Sequence, residues 1–129
     1  MMDDRTCVLV VDDEQLIALG LAVTLRDMGL QVCGTAATAA KAIELTQTHR
    51  PSIVLMDVRL KGPADGVEAA TEIHRLFGTP VIFITGSREP ETVERIRQDH
   101  PAGILFKPIL PVNLKAEIER VLSRQAGRP

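Results

Sequence analysis

Three sets of residues in this chain have the types that phosphoryl chemistry needs: the acids Asp12-Asp13-Glu14, a single acid at Asp57, and a hydroxyl and an ammonium at Thr85 and Lys107. Each set stands directly after a short apolar run. Carboxylates gathered in one crevice repel one another, so either protons are retained or a cation neutralises them. Hard oxygen donors without Cys or His select magnesium over zinc or copper. Phosphoryl transfer is mostly positioning and charge neutralisation. A metal would cover one phosphoryl oxygen, the Lys107 ammonium a second and the Thr85 hydroxyl a third. Asp57 is then left as the nucleophile, because a carboxylate can attack phosphorus to give an acyl phosphate. Taken singly, each residue has a plainer role. Asp57 could cap the loop or helix that follows it, Thr85 could cap the next helix, and Lys107 could be a surface lysine at a strand end.

The elements that must position these groups can be read from the apolar pattern. Ile53-Val54-Leu55-Met56 runs straight into Asp57 without alternation, which suits a strand buried on both faces of a parallel sheet. A buried helix segment shares that pattern, but Pro51 before it and Lys61-Gly62-Pro63 after it favour the strand. Thr6 to Val11 is a second such run, ending at Asp12. From Glu14 to Met28 the residues Ile17, Leu21, Leu25 and Met28 form the stripe of an amphipathic helix, with Gly29 as its stop. Leu30 to Gly34 is expected as a short strand. Thr38 to His49 is expected as an Ala-rich helix that turns Ala39, Ala42, Ile43 and Thr46 to the sheet. A loop through Gly62-Pro63-Ala64-Asp65-Gly66 leads to a third helix with Val67, Ala70, Ile73 and Phe77 on one face.

Val81 to Ile84 is the fourth strand, stopping at Thr85-Gly86-Ser87. The next helix, about Pro90 to Asp99, carries Val93 and Ile96 as its large apolar residues, so it should be the most weakly held. Gly103 to Phe106 is the fifth strand and ends in Lys107-Pro108. Pro111 suits the first turn of a last helix striped by Leu114, Ile118, Val121 and Leu122, and Ser123 to Pro129 reads as a tail or the start of a linker. Alternating β and α units with right-handed crossovers imply an α/β, doubly wound, five-stranded parallel sheet. Open sheets of this kind place their ligand crevice at the carboxyl ends of the strands. Asp12, Asp13, Asp57, Thr85 and Lys107 all fall there.

Composition bounds the function from outside. A chain of 129 residues is the size of one domain, and 45% apolar residues with only three aromatics require an aliphatic core. A net charge of −2 with both signs interspersed offers no basic face, which argues against direct nucleic-acid binding. Met1-Met2-Asp3-Asp4-Arg5 does not begin a signal peptide, and no apolar stretch reaches membrane-spanning length, so the expectation is a soluble cytoplasmic protein without membrane contact. Cys7 and Cys33 lack CxxC spacing and read as small buried hydrophobes. His49, His74 and His100 are scattered and read as solvated.

With Val8-Leu9-Val10-Val11-Asp12-Asp13-Glu14, Leu55-Met56-Asp57, Ile84-Thr85-Gly86 and Phe106-Lys107-Pro108 in place, the chain resembles a receiver (CheY-like) domain of two-component response regulators. The resemblance runs from about Thr6 to Leu122. It implies a flavodoxin-like strand order 2-1-3-4-5 and Asp57 as the phosphoacceptor. It also implies magnesium bound directly by Asp13, Asp57 and the Arg59 carbonyl and through water by Asp12, with Thr85 and Lys107 on the phosphoryl group. The donor would be a phosphohistidine on a sensor histidine kinase or histidine phosphotransfer protein. A downstream protein partner would dock on the helix 4, strand 5 and helix 5 face, and self-association into a homodimer is left open. Such a chain catalyses its own phosphorylation and slow dephosphorylation without turning over external substrates. A cis Lys107-Pro108 bond is implied as well.

Two positions depart from the family pattern. The family usually has an aromatic residue three before the strand-five lysine, where this chain has Ile104. The loop after the acceptor commonly has Pro four residues on and Asp-Gly at seven and eight, whereas here Lys61 takes the Pro position and Asp65-Gly66 come one residue late. Arg59 and Lys61 add positive charge beside the site and are expected to slow or redirect the attacking water. A flavin or nucleotide binder of the same fold is disfavoured because Asp12-Asp13-Glu14 would repel a phosphate and no GxxxxGK is present. A haloacid-dehalogenase-type hydrolase is disfavoured because neither acid segment reads DxD. The remaining rival is a phosphorylation-independent adaptor that uses the receiver fold for docking.

Overall fold

The computed structural model describes residues 6–126; the amino-terminal segment and the last three residues considered above lie outside them. Its strands are β1 (Cys7–Val11), β2 (Gln31–Ala36), β3 (Ile53–Asp57), β4 (Val81–Thr85) and β5 (Gly103–Phe106). The helices between and after them are α1 (Gln15–Asp27), α2 (Ala39–His49), α3 (Gly66–Phe77), α4 (Pro90–Gln98) and α5 (Pro111–Ala126). All neighbouring strands pair in parallel, in the order β2-β1-β3-β4-β5. The alternation predicts the doubly wound parallel sheet, and the receiver resemblance its flavodoxin-like strand order.

Both faces of the sheet are covered, which explains why its central strands show no alternation in sequence. Every residue of β3 and β4 is buried. On one face Leu9, Val11, Val54, Met56 and Phe83 meet Ala39 and Ala42 of α2, Val67, Ala70 and Ile73 of α3, and Ile96 of α4. On the other, Val8, Val10, Leu55, Ile82 and Ile84 meet Ala18 and Leu25 of α1 and Leu114, Ile118 and Val121 of α5. Each fully buried Ile, Leu or Val contributes about 1.5–3 kcal/mol from the area it removes from water. The sum holds the strands rigid, and with them their carboxyl ends.

Four local features differ from the expectation. In α1 the buried residues are Ala18, Ala22 and Leu25, while Leu16 is 84% exposed. Small alanines let the helix lie close to the sheet and push Ile17, Leu21 and Met28 to its margins. Strand β2 runs later than Leu30 to Gly34, because the register with β1 shifts between Val8 and Leu9 and Cys33 is accommodated as an extra residue. Helix α5 continues through Ser123 to Ala126, where a tail was expected from Ser123. The two cysteines are half-buried and free; the Cys33 thiol is pushed up to about 12 by burial and by the neighbouring Cys7. The three histidines are exposed, as expected, with His74 Nδ1 lying 3.7 Å from Asp99. Among the described residues no helix is long and apolar enough to cross a membrane.

Candidate functional site at the carboxyl ends of the strands

Asp57 is the last residue of β3 and is only 6% exposed. Burial raises its carboxyl above the ordinary range; the Lys107 ammonium opposes that shift and the Asp12 carboxylate adds to it. Lys107 lies 3.3 Å from Asp57 Oδ2 and 3.5 Å from Asp12 Oδ2, so one ammonium bridges two buried acids. Its own pKa is raised: burial alone would lower it, but the two carboxylates outweigh burial. Asp12 is 2% exposed and turns its other oxygen to the Glu14 amide at 2.9 Å. Asp13 is half-buried beside them.

A cation would fit this group. Asp12, Asp13 and Asp57 can each offer one oxygen, all within 4.8 Å of one another. Three acids face a single ammonium, so their repulsion is incompletely neutralised. The donors are all hard oxygens, the set that suits magnesium. Arg59, expected as a further ligand through its carbonyl, lies on the same rim, and its amide points toward Asp57 Oδ1 at 3.5 Å.

Thr85 closes the far side. It ends β4, is 3% exposed, and its hydroxyl accepts a hydrogen bond from the Ser87 amide at 3.0 Å. Its carbonyl accepts from the Lys107 amide at 2.8 Å, which ties the fourth and fifth strand ends together. The Lys107-Pro108 bond is cis, as the resemblance implied. A cavity of about 670 Å³ opens over these groups, lined by Asp13, Asp57, Arg59, Thr85, Arg88 and Lys107 among others. A smaller cavity of about 300 Å³ lies at the opposite end of the sheet, around Gly78-Thr79-Pro80 and Pro101-Ala102, away from the acids.

The loop that shapes this rim depends on Gly66. A Cβ there would stand 1.9 Å from the Asp57 carbonyl oxygen, so only glycine allows α3 to start so close to β3. The Gly66 amide donates to the Val58 carbonyl at 2.7 Å and draws the loop tight despite its late Asp-Gly pair. Lys61, in place of the usual Pro, bridges to Thr38 and donates its amide to the Ala37 carbonyl at 3.0 Å. Two side chains escaped the sequence reading. Arg88 stacks over the Phe106 ring at 4.3 Å, and Arg95 of α4 reaches Asp65 at 2.9 Å. Neither contact has a periodic signature, since each depends on how separate segments of the chain meet.

The fold and the acid, hydroxyl and ammonium at its strand ends define the receiver class of signalling domain. The family model described as "Response regulator receiver domain" matches residues 8–119. The chain belongs to that family and is a receiver domain of two-component response regulators. It is 36% identical over 117 residues to the transcriptional regulatory protein PdtaR of Mycobacterium tuberculosis, covering 91% of this chain and 57% of that protein. It is 33% identical over 121 residues to the phyllosphere-induced regulator PhyR of Methylorubrum extorquens, covering 93% of this chain and 45% of the other. The chain thus spans about half the length of these relatives. Among solved structures it resembles the signal receiver domain of a modulated diguanylate cyclase from Desulfovibrio desulfuricans, with a TM-score of 0.87, 34% identity, and coverage of 93% and 95% of the two chains.

Proposed function

We propose that this receiver domain is a magnesium-dependent phospho-acceptor whose reacting group is Asp57. The observation that carries the reading is the buried Asp57 carboxylate, 3.3 Å from the Lys107 ammonium, with Asp12 and Asp13 close enough to share a cation. Asp12, Asp13 and Asp57, with the Arg59 carbonyl, would hold magnesium, which supplies charge neutralisation at a phosphoryl oxygen when bound. Burial makes the Asp57 carboxylate basic and lightly solvated, and both qualities favour attack.

An Asp57 oxygen bonds to phosphorus while the phosphorus–nitrogen bond of a phosphohistidine breaks and the imidazole leaves with the bonding pair. Lys107 and Thr85 take the charge on the phosphoryl oxygens. Water later attacks the same phosphorus, phosphate leaves, and the Asp57 carboxylate is regenerated. The donor is a sensor histidine kinase or a histidine phosphotransfer protein. It docks over exposed apolar side chains at this end of the sheet, Leu16 at 84%, Val112 at 70% and Leu110 at 57% exposure. The output face is α4, β5 and α5, and the domain works in the cytoplasm.

Intact mass after incubation with acetyl phosphate, with and without magnesium, tests this on wild type and Asp57→Asn. The expected result is one phosphoryl adduct that requires magnesium and Asp57 and is lost in mild alkali. A chain that takes no adduct under any condition would instead be a docking module that works without phosphorylation.

A further inference from the structure

Arg88 occupies an unusual position for a cation at the rim of an acidic site. It lines the same cavity as Asp57, yet among the described residues it takes part in none of the ion pairs. Glu14 and Glu89 line that cavity too and do not hold it. Its guanidinium instead lies over Phe106, 4.3 Å from the ring centroid. Phe106 is not a remote ring. It pairs directly with Thr85 across β4 and β5 and precedes Lys107. It shares a side of β5 with Ile104, which packs toward Phe83 and Ile96. The aromatic face on this edge strand therefore sits one strand repeat nearer the acids than Ile104 does, within reach of the β4–α4 loop.

That loop is held by local hydrogen bonds, among them one from the Ser87 hydroxyl to Thr92 Oγ1 at 3.5 Å. Thr85 holds it through one hydrogen bond to the Ser87 amide, and the Ser87 hydroxyl accepts from the Glu89 amide at 3.2 Å. Gly86 between them has no neighbour that a Cβ would touch. Pro90 then begins α4, whose buried residue is Ile96. A phosphoryl group on Asp57 would bring a charge of about −1.5 to −2 and three strong acceptors into the cavity. A guanidinium forms bidentate, charge-assisted hydrogen bonds to such a group, and these outweigh an exposed cation–π contact.

We propose that Arg88 is a phosphoryl-binding side chain held in reserve on Phe106: the charge formed at Asp57 draws the guanidinium off the ring and into the cavity, uncovering Phe106 on the α4–β5 face. The proposal rests on the phospho-acceptor reading and names how that site is read out. The same movement transmits to α4, because Arg88 stands two residues before its first turn.

The chain has no Trp and no Tyr, so Phe106→Trp provides a single emitting ring at the position in question. Emission and intact mass are recorded on the same sample after acetyl phosphate and magnesium. The emission maximum should move to longer wavelength in step with the adduct. With Arg88→Ala added, the adduct still forms, emission starts at the longer wavelength and does not move, and the phosphoryl half-life falls by about threefold to tenfold. Arg88→Lys, which keeps charge but loses the planar fork, should restore only part of the shift. An adduct without an emission change, or the same change in the Arg88→Ala chain, overturns the proposal. No adduct in either chain overturns the acceptor reading beneath it. Should the larger ring perturb packing, the Phe106 ring resonances of the unsubstituted chain give the same comparison between Arg88 and Arg88→Ala.

Discussion

Helices α3 and α4 flank the same site and differ in nearly everything that holds a helix. α3 starts in a capping box, where Asp65 accepts from the Glu68 amide at 3.0 Å and Glu68 accepts from the Asp65 amide at 3.1 Å. It ends on Gly78 in the left-handed region and buries Val67, Ala69, Ala70 and Ile73. α4 has no side-chain cap at Glu89, begins at Pro90 and buries Ile96. One flanking helix is therefore anchored to the sheet through several buried residues and the other through one. A signalling site needs both: a fixed neighbour to keep Asp57 aligned and one with low local stability to report a change.

The largest test of this contrast pairs two fully buried isoleucines. Ile73→Ala should cost toward the upper end of the about 2–5 kcal/mol expected for such truncations, because α3 cannot leave the sheet to relieve the cavity. Ile96→Ala should fall at the lower end, because α4 can undock. Chemical denaturation gives the two costs. Hydrogen exchange then separates the mechanisms: with Ile96→Ala, α4 amides should lose protection while β3 and β4 amides change only with global stability. Equal costs and uniform exchange would show that α4 is as firmly integrated as α3.

A smaller effect is expected at the joint between α3 and the acceptor strand. Gly66→Ala forces a methyl against the Asp57 carbonyl, and overpacking of this kind costs about 1–3 kcal/mol. The relief must come from β3 or the start of α3, so the variant should also slow adduct formation at Asp57 in the mass assay. Wild-type phosphorylation with lowered stability would mean the strain is absorbed wholly in α3.

Much of this arrangement was legible in the chain, for a physical reason. Asp12, Asp57, Thr85 and Lys107 each follow an apolar run at a strand end, and parallel topology carries all strand ends to one edge. Placement thus followed from pattern. The facing of α1 did not, because Leu16, Leu19 and Val23 are exposed while Ala18 and Ala22 are buried. A helix apolar on several sides does not declare which side meets the sheet, and small residues are the ones that allow close approach. The extra residue in β2 was hidden because a register shift has no compositional mark. Arg88 on Phe106 and Arg95 on Asp65 were hidden because each depends on how distant segments meet, the latter across 30 positions.

The Arg95–Asp65 pair is the finest test, since it ties the loose helix to the cap of the firm one at 2.9 Å. Burial alone would raise the Asp65 carboxyl, but the hydrogen bond from Arg95 and those from backbone amides outweigh it, and the group titrates below its usual range. A depressed folded-state pKa means stability that is fully present above the unfolded value of about 3.9 and is lost as pH falls through the folded one. The pair is largely exposed on the Arg95 side, so Arg95→Ala should cost only about 0.5 kcal/mol at pH 7. That difference should hold down to about pH 4 and shrink only as pH falls further through the depressed folded-state value, where Asp65 gains its proton in both chains. Exchange in α4 should quicken in Arg95→Ala at pH 7, while exchange in α3, whose cap still holds through the Asp65 and Glu68 amides, should not. A loss of protection in both helices would mean that the pair stabilises the α3 cap itself, and that the two helices flanking the site respond as one unit.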